Sequence, residues 1–277
     1  MKHPGKTPDR HGSGNDAGTV ERTAPGLAFG RWLAGMPGRR LLDWGQAQVA
    51  EAVDNVFGYY AVQLGLPVLD ALVGSRIPHL IRVQAGMAPV HAGGWQPAVR
   101  VARLEELPFE SHSIDLVVLP LQLECSADPH QLLREVDRVL RPEGRLVVLG
   151  INPWSLWGLR QGLPAWAGGH FLPETNALIS APRLRDWIRL LSFEPDATVY
   201  GCHAWPVNGH GWLCRSRQLF ERAGERWWPV CGAGYVLSAV KRVHGMRLIG
   251  PVWRGVPARG RAVAGVGSPC CHPPRSG

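Results

Sequence analysis

Hydrophobic spacing along the chain changes period several times, and each change marks an element. Between residues 46 and 57 (QAQVAEAVDNVF), Val49, Ala50, Val53, Val56 and Phe57 predict a helix with one apolar face. A short apolar run at 59–64 (YYAVQL) stops at Gly65 and reads as a strand. Weaker strand patterns follow at 79–84 (HLIRVQ) and 98–104 (AVRVARL). The segment 113–121 (SIDLVVLPL) is apolar on both alternating faces, as suits a strand buried at the centre of a parallel sheet. Asp128-Pro129 then predicts a helix start, because Asp caps and Pro suits the first turn. Leu132, Leu133, Val136, Val139 and Leu140 form its apolar stripe, and Pro142-Glu143-Gly144 predicts its stop. A second buried strand follows at 145–151 (RLVVLGI). Residues 182–191 predict an amphipathic helix through Leu184, Trp187, Ile188 and Leu191, and strands at 197–202 and 235–243 close the pattern. Strand and helix alternate through the middle of the chain, which predicts a doubly wound α/β sheet.

Composition sets the limits of that domain. Of 34 Gly and 24 Pro, 19 fall in the 54 positions 1–26 and 250–277. The reading is therefore a disordered N-terminal extension over 1–26, a domain over 27–254, and a disordered Gly/Pro-rich tail over 255–277. The chain carries a formal charge of +8, and residues 241–277 hold seven Lys or Arg and no acid, which leaves +1 for the rest. The tail is thus basic and the body nearly neutral. No run approaches the roughly 18 apolar residues of a membrane span, and no apolar leader core is visible, so a cytoplasmic location is expected. The six Cys include no CxxC pair, which excludes a zinc ribbon and a thioredoxin-type site.

The stretch 107–150 reads LPFESHSIDLVVLPLQLECSADPHQLLREVDRVLRPEGRLVVLG. It resembles the class I S-adenosylmethionine-dependent methyltransferases, of the type grouped as methyltransferase type 11. The residues that carry the resemblance are Leu107-Pro108-Phe109, Asp115, Leu133-Arg134-Glu135, Arg138-Val139-Leu140, Pro142 and Gly144. It extends more weakly over about 44–250. Asn152–Arg160 and Lys241–Gly250 resemble a proteobacterial branch of the same family. It implies a Rossmann-like doubly wound sheet, mostly parallel with an antiparallel last strand, and helices on both faces. Arg134, Glu135 and Arg138 read most simply as a solvated helix face, and Asp115 as a residue that orients the loop before its strand.

The resemblance also implies where S-adenosylmethionine would sit: against a Gly-rich loop after strand one, an acid ending strand two and an acid after strand three. This chain departs from all three. Of the Gly-rich loop only Gly65 remains, followed by Leu66 and Pro67. Residues 71–104 contain no Asp or Glu. The family's acid before Leu-Pro-Phe is replaced by Arg103, in the run Arg103-Leu104-Glu105-Glu106. The expected cofactor-binding residues are accordingly Gly65, Arg103, Leu104, Glu105 and Pro120, with weak binding. Arg76, Arg82, Arg100 and Arg103 in the acid-free stretch would suit an anion if they faced the pocket.

On the acceptor side, Asn152, Trp154 and Trp157 follow strand five, where Trp would stack an aromatic or lipid-like acceptor or pack as a lid. Glu124 follows strand four, a place for a base. His112, His130 and His170 lack metal-ligand spacing, so no metal is expected. His203 and His210 flank a Trp/Pro/Gly segment that would cover the acceptor. No catalytic residue is assigned. The reading is a methyltransferase with a small-molecule acceptor and no nucleic-acid partner. The alternative is a non-catalytic protein of the same fold that binds a partner protein or an anionic ligand.

Overall fold

The computed structural model describes residues 25–86, 97–164, 172, 178–203 and 231–242. Two helices come first, α1 (Pro25–Leu33) and α2 (Met36–Asp54). Hydrophobic spacing reveals only the second half of α2. Its first half, MPGRRLLDWG, contains a proline and two glycines, which argue against a helix. Both glycines serve contact: a Cβ on Gly38 would lie 2.3 Å from Leu33 Cα, and one on Gly45 would lie 2.7 Å from Leu149. Close packing of α2 onto α1 and the sheet overrides local propensity. Helix α1 begins two residues inside the expected N-terminal extension. The rest of that extension and the 255–277 tail lie outside the described residues.

The seven strands are β1 (Tyr60–Leu64), β2 (His79–Ala85), β3 (Val99–Val101), β4 (Ile114–Pro120), β5 (Leu140–Ile151), β6 (Phe193–Gly201) and β7 (Gly234–Lys241). They form one sheet in the order β3-β2-β1-β4-β5-β7-β6. Strands β1 to β5 pair in parallel, and β7 runs antiparallel to both β5 and β6. Three further helices are α3 (Pro129–Val139), α4 (Leu156–Gln161) and α5 (Ala181–Leu190). Alternation along β4 separates two cores. Leu116 and Val118 join Val49 and Val53 of α2 and Trp157 of α4 on one face. Val117 and Leu119 join Leu132 and Val136 of α3 and Leu184 and Ile188 of α5 on the other. Helices therefore cover both faces, as expected.

Strand β4, α3 and β5 follow the sequence closely. Asp128 caps α3, its carboxylate accepting from the N–H groups of His130 and Gln131, both at 3.0 Å. One difference lies at the helix stop. Strand β5 starts at Leu140, and Pro142-Glu143-Gly144 forms an irregularity within it. Ile114 pairs with Leu140 and Leu116 with Arg145, so Asp115 alone faces residues 141–144. Glu143 takes φ +64, and a Cβ on Gly144 would lie 2.8 Å from the Arg141 carbonyl. Asp115 fills this bulge: Arg141 donates to it at 3.1 Å, and the N–H groups of Tyr59 and Tyr60 donate at 2.7 and 3.0 Å. It fastens the start of β1 to β4, which is the orienting role that its position suggested.

The opposite half of the sheet is built otherwise. Parallel neighbours usually need a crossover helix. Among the described residues, no helix lies between β1 and β4. Residues 65–78 cross from β1 to β2 by turns alone.

Candidate functional site

The parallel strands end along one edge, and the loops after them stand where open α/β sheets hold ligands, at the crevice edge of the sheet. The backbone is strained along this edge. Gly65 follows β1 with φ +75, Leu66 has +47, Gly86 follows β2 with +70, Leu121 follows β4 with +53, and Cys202 follows β6 with +59. Left-handed φ at Leu or Cys costs on the order of 1 kcal/mol or more, and His112, Glu143 and Ser192 adopt it at the opposite edge as well.

Gln63, buried in β1, shapes the first loop. Its Nε2 donates to the carbonyls of Leu69 (2.7 Å), Gly65 (3.3 Å) and Leu66 (3.4 Å), and its Oε1 accepts from the Ala71 N–H (2.8 Å). From α2, Gln46 donates to the Asp70 carbonyl at 2.6 Å. From β2, Arg82 pairs with the Asp70 carboxylate at 2.7 Å. The loop after Gly65 is thus tied down from three strands and helices. Gln63 stands two places before Gly65, the position of the acid that begins the family's Gly-rich pattern. Sequence reasoning missed it, although a glutamine inside the apolar run YYAVQL was the available signal. Gly65 itself is covered, since a Cβ there would lie 1.9 Å from Oε1 of Gln122.

At the end of β2 sits Gln84, buried, with an Oε1 that has no hydrogen-bond partner. The carboxylate expected there is absent, and sequence reasoning overlooked the amide that takes its place. After β3, Leu104 is buried and Arg103 exposed. Glu105 accepts from the Ser126 hydroxyl at 2.8 Å. Pro120 ends β4, buried and in register with Leu149. Gly65, Leu104, Glu105 and Pro120 thus lie at the strand ends or in the loops that follow them, while the Arg103 side chain faces solvent.

The loop that carries these residues is fixed by α3, which corrects the reading of Glu135 and Arg138 as a solvated face. Arg138 donates to the carbonyls of Phe109 (2.9 Å) and Leu107 (3.1 Å) and to Glu135 (2.6 Å). Glu135 accepts from the Leu107 N–H at 2.8 Å. The hydrogen bond from Arg138 holds the Glu135 carboxyl below its ordinary pKa against the opposing effect of burial, with help from the Leu107 N–H. The Leu-Arg-Glu and Arg-Val-Leu motifs therefore act on the Leu-Pro-Phe motif through space.

The four arginines do not form an anion site. Arg76 pairs with Asp54 at 3.4 Å and Arg82 with Asp70, while Arg100 and Arg103 are exposed.

Glu124 follows β4 and is fully buried. Its Oε1 accepts from the Ile151 N–H at 2.8 Å, and its Oε2 has no partner. Burial pushes its pKa up to about 7, opposed by the Ile151 hydrogen bond. Burial, and secondarily Glu124, raises the neighbouring Cys125 thiol to about 12, so it is no nucleophile at neutral pH. Asn152 is also buried. It donates to the Gly232 carbonyl at 3.0 Å and accepts from the Trp154 N–H at 3.1 Å, so it brackets β5 to β7. Trp157 is fully buried, edge-on to Trp32 at 5.5 Å, and serves the core. Trp154 is 75% exposed. His112 lies 3.0 Å from the Leu140 carbonyl, and His130 packs on Trp187 with centroids 3.8 Å apart. His203 is half-buried, and His170 and His210 lie outside the described residues. Among the described residues, no group of three His, Cys, Asp or Glu is placed to hold a metal ion, and no helix is long and apolar enough to cross a membrane.

Residues 82–148 match the family model described as "Methyltransferase domain". An S-adenosylmethionine-dependent methyltransferase of Thermotoga maritima superposes on the chain with a TM-score of 0.52 at 18% identity, covering 78% of this chain and 95% of that one. The domain has the class I methyltransferase fold. In sequence, this methyltransferase-fold chain is 33% identical over 159 residues to the uncharacterised protein YafS of Escherichia coli K12. That match takes in 57% of this chain and 61% of YafS. It is 42% identical over 90 residues to a malonyl-[acyl-carrier protein] O-methyltransferase of Laribacter hongkongensis, which is 32% of this chain and 29% of that enzyme. The chain spans less than two thirds of the length of these relatives.

Proposed function

We propose that the chain binds S-adenosylmethionine in the crevice and transfers its methyl group to a small-molecule acceptor. The observation that carries this reading is the methyltransferase-domain match over 82–148, on a sheet whose crevice edge holds Gly65, Gln84 and Glu105. The backbone at Gly65 and Leu66 would meet the methionine part, the Gln84 amide the ribose hydroxyls, and Glu105 with Leu104 the adenine. Pro120 would form part of the floor. Methyl transfer from a sulfonium needs chiefly alignment of donor and acceptor, which a fixed crevice supplies without a dedicated base.

A second reading has its own support. Gln122 covers Gly65, and Gln63 consumes loop carbonyls that would otherwise face a cationic cofactor. These features favour a domain that keeps the fold and has given up catalysis. Calorimetric titration with S-adenosylmethionine and with its demethylated product separates the two. The first reading expects saturable binding of both, weaker than micromolar. Absence of any heat with either ligand supports the second.

A further inference from the structure

A glycine at the end of β1 lets a ligand approach the backbone closely, because no Cβ stands in the way. At Gly65 that approach is taken by another residue of the chain. A Cβ there would lie 1.9 Å from Oε1 and 2.8 Å from Cδ of Gln122, so the end of this amide rests against the glycine. The loop is the fixed side of the contact. Gln63 holds the carbonyls of Leu69, Gly65 and Leu66 and the Ala71 N–H, and the Gly65 N–H donates to the Val83 carbonyl at 2.8 Å. The main chain of Gln122 is fixed too. Its carbonyl accepts from the N–H groups of Cys125 and Ser126 at 3.2 and 3.0 Å. Glu124 ties the same turn to Ile151, and Ser126 ties it to Glu105. The Gln122 side chain is the movable part, since it makes no hydrogen bond among the described residues. The end of β2 differs: there the buried Gln84 keeps an Oε1 without a partner, ready to accept from a hydroxyl.

We propose that Gln122 sets which ligand the crevice takes: with its amide against Gly65, the crevice accepts a nucleoside thioether and opposes the amino-acid part of S-adenosylmethionine. This rests on the methyltransferase reading, in which Gly65 and Leu66 meet the methionine part and Gln84, Leu104 and Glu105 meet the nucleoside. A ligand that carries the amino-acid part must first turn the Gln122 side chain away and then competes with it for the space over Gly65. A ligand that ends at the thioether meets only the nucleoside half. Such discrimination comes from an obstacle to one ligand and needs no added attraction to the other. The sign of the effect identifies the role. Truncating a residue that grips the cofactor weakens binding, whereas truncating an obstacle tightens it.

The test is calorimetric titration of the full native chain and of Gln122→Ala with methylthioadenosine and with S-adenosylhomocysteine. Both contain the nucleoside thioether, and only the second contains the amino-acid part. Neither is a sulfonium, so the charge of Arg103 does not enter the comparison. The native chain is expected to bind methylthioadenosine at least as tightly as the larger ligand. Gln122→Ala should leave that affinity unchanged and tighten S-adenosylhomocysteine at least about tenfold. An unchanged ratio of the two affinities, or weaker S-adenosylhomocysteine binding in the variant, overturns the proposal and leaves the methyltransferase reading standing. Binding of neither ligand by either protein overturns both. A second measurement needs no ligand. Gly65→Ala should lower the thermal midpoint, and adding Gln122→Ala should recover part of the loss, the remainder coming from the left-handed φ of +75. No recovery in the double variant overturns the contact on which the proposal stands.

Discussion

Around β4 and β5, a capped amphipathic helix packs its stripe into the sheet, and the strands are apolar on both faces. Around β1 to β3, no described helix lies between the strands, and α2 packs nearby, against Ala61, Leu69 and Leu72. The first loop is held by the amides of Gln46 and Gln63 and by the Arg82–Asp70 pair. One half of the sheet is held by area removed from water; in the other, where Ala61, Val62, Leu64 and Val83 are buried as fully, directed hydrogen bonds are added to shape the loop. The difference bears on ligand binding. Groups already engaged in holding a loop are not available to a ligand without a cost, typically about 1 kcal/mol or more for each hydrogen bond given up. The half that should hold the nucleotide is the half whose polar groups hold the loop.

Asp115 joins the two halves, so its loss should be the most damaging change. Asp115→Lys would remove the acceptor for Tyr59, Tyr60 and Arg141 and set two cations together at a site whose carboxylate is only 15% exposed. Losing three hydrogen bonds to a charged, half-buried acceptor costs about 3 kcal/mol after discounting for the exposure of Arg141. The expected outcome in urea is loss of a cooperative transition or a large fall in its midpoint. A soluble variant with native melting and a selective loss of ligand affinity would mean that Asp115 serves the crevice instead.

The next effect concerns Glu124, placed behind the crevice at the ends of β4 and β5. Its folded-state pKa is raised from the ordinary 4.5 to about 7. The folded protein therefore keeps a proton that the unfolded chain releases in that window, and stability falls as pH rises through it. The destabilisation is absent below about pH 4.5 and complete above about pH 7, where it amounts to roughly 3 kcal/mol. Glu124→Gln keeps an oxygen for the Ile151 N–H and removes the charge. It should be more stable than the native chain at pH 8 and equal to it near pH 4.5. Parallel stability profiles for the two proteins across that range would show that Oε2 finds a partner when ionised.

Arg138→Ala tests whether the hydrophobically built half positions the crevice loop. The guanidinium binds two carbonyls and Glu135 at once, but it is partly exposed. Discounted for that exposure, the loss should be about 2 kcal/mol. Arg138→Lys should recover only part of it, because an ammonium lacks the planar fork. Affinity for S-adenosylmethionine should fall along with stability, since Leu104 and Glu105 precede the fastened segment. A stability loss without any change in affinity would detach the loop from the binding site.

How far the sequence discloses these features follows from how they are built. Periodicity predicts β4, α3, β5 and α5 because packing is repetitive. The short apolar runs place β1 and β2 almost to the residue as well, since Gly65 ends the first and Pro78 precedes the second. The first half of α2 escapes because Gly38 and Gly45 are chosen for contact with Leu33 and Leu149, partners that no local window contains. Gln63 and Gln84 escape for a similar reason: an amide's role depends on which carbonyl or N–H the fold brings beside it. The Glu135–Arg138 pair reads from sequence as an exposed helix face, because the carbonyls of Leu107 and Phe109 are nearly thirty residues away. Motif residues were visible, and their through-space partners were not.

The smallest expected change acts on ligand affinity alone and asks whether the hydrogen-bonded half still contains a nucleotide site. S-adenosylmethionine carries a positive sulfonium, and the crevice loop places Arg103 where the family has an acid. Arg103 is exposed, so solvent screens its charge, and replacing it should leave stability unchanged. Arg103→Asp reverses that charge beside Glu105 and restores the family's acid. One recovered charged hydrogen bond, weakened by exposure, should tighten binding by up to about tenfold. Tighter binding measured by calorimetry would identify a degenerate site that one residue improves. Tight native binding that the substitution abolishes would assign the adenine contact to Glu105, Glu106 or the backbone. No binding in either form would leave Gln122 over Gly65 as the decisive obstacle, and Gln122→Ala, which clears that space, would then be the variant to titrate.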